Sequence, residues 1–156
     1  MKRYMWKLTV GPVVAGVCVA LAAVLTDGEG ASPVYAAANE VTFPPLDQLV
    51  HYTTVTRGPT REHMLTSREA LGAIQAGQPV PVGTHVVLTD YQSDVLYRYL
   101  VSQKTGPGVD DWQFQWFWPD QSIKADENVA QCYSCHQRSR RERQFMFTFS
   151  DALSFK

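Results

Sequence analysis

The sequence predicts an α+β fold, mostly antiparallel β-sheet, with one helix near the C-terminus and one short additional helix. Three observations carry this expectation. Runs rich in β-branched and aromatic residues alternate with turn-forming Gly, Pro, Asp and Ser from residue 48 to residue 118. Only two stretches look helical, and both are short. The second holds the run Cys132-Tyr133-Ser134-Cys135-His136, which only 20 residues follow.

Each element has a local cause. Residues 39–47, with Pro44-Pro45, read as an extended lead-in. Residues 48–56 are rich in Val, Thr and Tyr and read as a strand, which Arg57-Gly58-Pro59-Thr60 breaks. Thr66-Ser67-Arg68-Glu69 has the spacing of a capping box. Ala70, Leu71 and Ile74 then give a short apolar stripe, and Gly77 would stop that helix. Residues 78–83 form a loop with two prolines. Residues 84–91 and 95–102 read as strands joined by a hairpin turn at Gln92-Ser93-Asp94. Residues 112–118 alternate, placing Trp112, Phe114, Trp116 and Trp118 on one face, most simply a core face that also serves as a wall for a ligand. Residues 126–137 read as helix, and residues 144–149 as a last strand.

The N-terminus reads as a secretory signal. Residues 1–7 carry three positive charges, residues 8–25 are apolar and uncharged, and residues 26–38 end in Val34-Tyr35-Ala36-Ala37-Ala38. Small residues at the last and third-last positions suit cleavage after Ala36 or Ala38. The competing reading is an uncleaved membrane anchor, because the apolar run approaches the roughly 20 residues of a spanning helix. Gly11, Pro12 and Gly16 weigh against it. Residues 39–156 are then one exported domain, of a length that buries a modest core. They hold 11 Lys and Arg against 13 Asp and Glu, a balance that argues against nucleic acid as partner.

The spacing C-x-x-C-H is what covalent attachment of a c-type haem requires. Two thiols add to the porphyrin vinyl groups, and the adjacent imidazole ligates the iron. Residues three apart share a helix face, so Cys132 and Cys135 can both meet the macrocycle, with His136 one turn beyond Cys132. A zinc site would need a fourth ligand. The remaining cysteine, Cys18, lies in the apolar N-terminal run. A thioredoxin-like dithiol would follow a strand, and residues 126–131 look helical instead. The expected cofactor is therefore one covalently attached haem c per chain, bound through Cys132 and Cys135, with His136 as proximal iron ligand. The C-terminal helix becomes the haem-bearing one. Export fits, since bacterial c-type haem is attached outside the cytoplasmic membrane, and the expected location is periplasmic, tethered only if the N-terminal segment stays.

Several segments in order resemble the cytochrome P-460 family, which includes the β-sheet cytochromes c′-beta. They are Thr56-Arg57-Gly58 with Glu62-His63-Met64, Gln78 to Thr84, Leu96-Tyr97-Arg98-Tyr99, Trp112 to Phe117, and Cys132 to His136 followed by Phe145-Met146-Phe147-Thr148. The resemblance spans residues 49–149. It implies a mostly antiparallel sheet, one high-spin haem c, His136 as proximal ligand, an open distal site and often a homodimer. Members that oxidise hydroxylamine cross-link a lysine to the porphyrin from the strand after the Gly-Thr step. Residues 84–91 contain no lysine here, and neither Lys104 nor Lys124 is a clear substitute. No cross-link is expected.

The iron's sixth position would decide function. His51, His63, His85, Met64 and Met146 are candidates, each with an ordinary packing role as the simpler reading: Met64 at the entry to the first helix, Met146 in the last strand. An open or water-bound position is expected. Arg138, Arg140, Arg141 and Arg143 suggest a propionate partner or a patch for an acidic protein, against the simpler reading of a solvated basic turn; Arg57 and Arg61 are runners-up. The expected function is electron transfer, with a redox partner protein, or binding of nitric oxide and related small ligands. Two alternatives stand beside it: an oxidoreductase acting on a small nitrogen compound such as hydroxylamine, and a tethered cytochrome subunit of a respiratory complex.

Overall fold

The computed structural model describes residue 39 and residues 41–156; the expected signal segment, residues 1–38, lies outside them. Five strands form one antiparallel sheet in sequence order: β1 (Val50–Arg57), β2 (Thr60–Thr66), β3 (His85–Gln92), β4 (Val95–Lys104) and β5 (Trp112–Phe117). Helix α1 (Arg68–Gln75) lies between β2 and β3, and α2 (Val129–Arg140) and α3 (Phe149–Ser154) follow the sheet. The α+β class with a mostly antiparallel sheet holds.

Local chemistry explains the boundaries. Ser93 and Asp94 both take positive φ, 49° and 65°, which makes the two-residue turn that suits a twisted hairpin. Ser67 caps α1, its side chain accepting from the Ala70 N–H at 3.1 Å. Thr66 is not the cap; its hydroxyl donates to the His85 carbonyl at 2.7 Å. Gly77, at φ 68°, ends the helix. Asn128 caps α2, accepting from the Ala130 N–H at 3.1 Å.

The expected helix over residues 126–137 begins only at Val129 and runs to Arg140, and two larger expectations about strands fail. Residues 60–66 form β2, a strand not anticipated, because Gly58 at φ 58° lets the chain double back instead of merely stopping. Met64 therefore sits in a strand and not at the entry to α1. The expected last strand at residues 144–149 is absent. Gln144 and Phe145 adopt left-handed backbone, φ 49° and 67°, and the Phe145 and Met146 N–H groups bond back to Arg140 and Arg143 carbonyls. The chain turns there and continues into α3, so α2 is not the last helix, and there are two further helices where one was expected.

Both faces of the sheet are covered. On the back, Val87, Tyr99, Val101 and Phe117 pack under the lead-in residues Val41, Phe43, Leu46 and Leu49. On the front, residues from β2 to β5 pack with α1, the inner side of α2 and the segment through Phe145 and Met146. Val129, Cys132, Tyr133 and His136 recur at helical spacing and form that inner side of α2.

Candidate functional site

The front core does not close. A cleft of about 180 Å³ lies between the sheet and its helical cover. Its floor follows from strand alternation: Met64 on β2, Val86 and Leu88 on β3, Leu100 and Ser102 on β4, Trp112 and Phe114 on β5. His136 and residues 145–148 form the facing wall, and Arg57 and Glu62 stand at one end.

His136 is held in one orientation. Its Nδ1 pairs with the Phe145 carbonyl oxygen, which can only accept, so Nδ1 carries the proton and donates. The left-handed turn at Gln144 and Phe145 is what aims that carbonyl at the ring. Phe114 and Phe147 pack on the imidazole with ring centroids 4.8 Å and 4.7 Å away. Burial holds its pKa below the ordinary histidine value; the Phe145 carbonyl opposes this and Arg140 adds to it. The ring is thus neutral near pH 7, with an unprotonated Nε2, the form that ligates metals.

The two thiols differ. Cys132 is half-buried beside the front core, and burial pushes its pKa up, with Trp116 partly offsetting this. Cys135 is exposed. Both are free, and neither lines the cleft. Cys132, Cys135 and His136 are the residues that could hold a porphyrin. Among the described residues, no cluster of three or more His, Cys, Asp or Glu side chains could hold a bare metal ion.

The other candidates separate clearly. Met64 and Met146 are buried and line the cleft. The three other histidines do not. His51 bonds Thr54 at 2.8 Å, His63 accepts from Arg61 at 3.1 Å, and His85 bonds Thr42 at 3.1 Å. Lys104 donates to the Gly108 carbonyl and Lys124 pairs with Asp126 at 2.7 Å, both away from the cleft. Trp116 lies under the Arg98 guanidinium at 4.0 Å, and Trp118 beyond β5 under Lys124 at 4.2 Å, so the aromatic face contributes Trp112 and Phe114 to the cleft. Arg61 pairs with Asp94 outside it.

One residue was not singled out from the sequence as a candidate. Glu62 is the carboxylate of the cleft, 14 % exposed and paired at 2.6 Å with Arg57, which is 67 % exposed. Reading residues 60–66 with a period of two puts Glu62 beside Met64 on one face, a signal that depends on recognising β2. Among the described residues no helix is long and apolar enough to cross a membrane. No family model matches the chain, and no curated protein matches it.

Proposed function

We propose that this chain is a periplasmic monohaem c-type cytochrome of the cytochrome P-460 kind, serving electron transfer or the binding of nitric oxide and related small ligands. The observation that carries this reading is His136. It directly follows a C-x-x-C pair, donates Nδ1–H to a backbone carbonyl, and borders a mostly apolar cleft. A ligating histidine is ordinarily fixed by such a hydrogen bond from its other ring nitrogen.

The residues present fit the group. Cys132 and Cys135 would supply the thioether sulfurs, His136 the axial nitrogen, and the floor from Met64 to Phe114 the apolar surface. A bound haem c would supply an iron that exchanges one electron and takes a small diatomic ligand. The Phe145 carbonyl keeps His136 in the ligating tautomer. Phe114 and Phe147 restrict its rotation and limit water around it. Arg57 reaches the cleft mouth, where it suits a propionate.

A second reading, an oxidoreductase acting on a small nitrogen compound such as hydroxylamine, is favoured by Glu62. A carboxylate inside the cleft can accept or deliver a proton there. A tethered respiratory subunit would depend on residues 1–38.

The test is spectroscopic. The purified mature protein should be coloured and should keep its pigment in acidified organic solvent. Its reduced spectrum should change on adding nitric oxide. A colourless protein, or pigment that extracts freely, refutes the reading. A coloured protein inert to nitric oxide restricts it to electron transfer.

A further inference from the structure

Four arginines fall within six residues, Arg138, Arg140, Arg141 and Arg143, with Glu142 as the single acid among them. Residues 39–156 outside that segment hold seven Lys and Arg against twelve Asp and Glu. The domain is therefore electrically lopsided, with its positive end at the C-terminus of α2. Arg138, Arg141 and Arg143 are exposed. Among the described residues, Arg141 alone of the four comes near a carboxylate, Asp110, at 3.8 Å. Guanidinium groups this close repel one another over a Debye length of about 8–10 Å, a cost that an acidic partner would remove.

The patch also adjoins one route from solvent to His136. Phe147 is 40 % exposed. One side of its ring carries the Arg140 guanidinium at 4.2 Å, and the ring stands edge-on to His136 at 4.7 Å. Solvent, Phe147 and the imidazole are thus in series. Resting on the haem reading above, we infer that this arginine patch around Phe147 docks an acidic redox protein and that electrons pass there. The patch steers an anionic partner in, and arginine's planar fork holds carboxylates in pairs.

The step needs no proton and breaks no bond. A haem held by Cys132, Cys135 and His136 would give up one electron, and the acceptor would be reduced by one unit. The test uses the reduced holoprotein and two one-electron oxidants, anionic ferricyanide and cationic tris(phenanthroline)cobalt(III). In the wild type, ferricyanide oxidation should be fast at low salt and slow as salt rises. Arg138→Glu/Arg141→Glu/Arg143→Glu should slow it about tenfold at low salt and speed oxidation by the cobalt complex. Arg68→Glu, exposed at the start of α1, should change neither rate. Poly-L-glutamate, a redox-inert acidic chain, should inhibit ferricyanide oxidation of the wild type and not of the triple variant. Equal rates and equal inhibition in wild type and variant overturn the inference. So does capture of the wild type, but not the variant, by phosphatidylglycerol vesicles, which would assign the patch to a lipid surface. An unchanged visible spectrum shows that the variant is folded and loaded. A colourless wild type would defeat the haem reading instead, so the two failures are distinct.

Discussion

The two faces of the sheet come from the same strands and similar side chains, yet the back is filled over its middle strands, with a cavity only beside the lead-in and the loop before β3, and the front holds an apolar cleft over them. Val87 and Val101 on the back have no exposed surface. Leu88 and Leu100, their neighbours in sequence, face the cleft. The covers differ. The back is covered by an extended segment that follows the sheet and sets Phe43 edge-on against Tyr99 and Phe117, each at 5.1 Å. The front is covered by helices that rest on the rims, α2 on β5 and α3 on β1, the two edge strands. Helices seated on the edges leave the middle strands roofed but unfilled. An apolar floor is thus not enough to close a core; the cover must lie flat on it.

The sharpest way to break this comparison is to deny the front the haem proposed to fill it. Cys132→Ala/Cys135→Ala should yield a colourless protein less stable than the wild type by on the order of 4 kcal/mol or more, since a porphyrin that buries even about 160 Å² of apolar surface on folding contributes that much at roughly 25 cal/mol per Å². Denaturant midpoints measure it, and equal midpoints would mean that nothing occupies the cleft. Next in size are paired truncations. Phe117→Ala, on the filled back, should cost about 3–5 kcal/mol in both the wild type and the colourless background. Leu100→Ala, on the cleft floor, should cost only about 1 kcal/mol in the colourless background, since it borders space already empty, and more when the cleft is filled. Equal costs for Leu100→Ala in both backgrounds would contradict an open front face.

The sequence made four of the five strands and helix α1 legible, and the front cover much less so. Hairpin β3–β4, strand β5 and helix α1 follow from alternation, turn residues and a glycine stop, all within a few residues of each element. Cys132, Cys135 and His136 stood out because their chemistry lies in five consecutive residues. The misses were non-local. β2 carries Arg61, Glu62 and His63, so its pattern is not apolar alternation, and only pairing with β1 and β3 makes it a strand. Phe145-Met146-Phe147 has strand composition, but its two left-handed residues and its docking on His136 depend on where α2 ends. Tertiary context overrode propensity there. Glu62 was missed as a consequence of missing β2.

The smallest effect concerns how the front cover is pinned to the sheet. Tyr52 sits at the bulge in β1, and its phenol bonds the Thr148 hydroxyl at 2.6 Å across 96 residues, holding the turn after α2 to the edge strand. Tyr52→Phe leaves the buried Thr148 without that partner and should cost about 1–2 kcal/mol near pH 8. Burial pushes the Tyr52 pKa up from 10.0 to about 12, with the Thr148 hydrogen bond partly opposing and Asp151 adding to the rise. The folded pKa lies above the unfolded one, so the unfolded state loses its proton first. The stability tied to this group is intact below pH 10 and drains away as the pH rises toward 12. Two units correspond to about 3 kcal/mol. Tyr52→Phe cannot lose that contribution, and the other tyrosines cancel in the difference between the two proteins. The wild type's advantage should therefore shrink above pH 10 and reverse near pH 12. A difference in unfolding free energy that stays flat from pH 8 to 12 would show that the phenol is not sealed between β1 and the cover. The front would then be more loosely roofed than its hydrogen bond suggests.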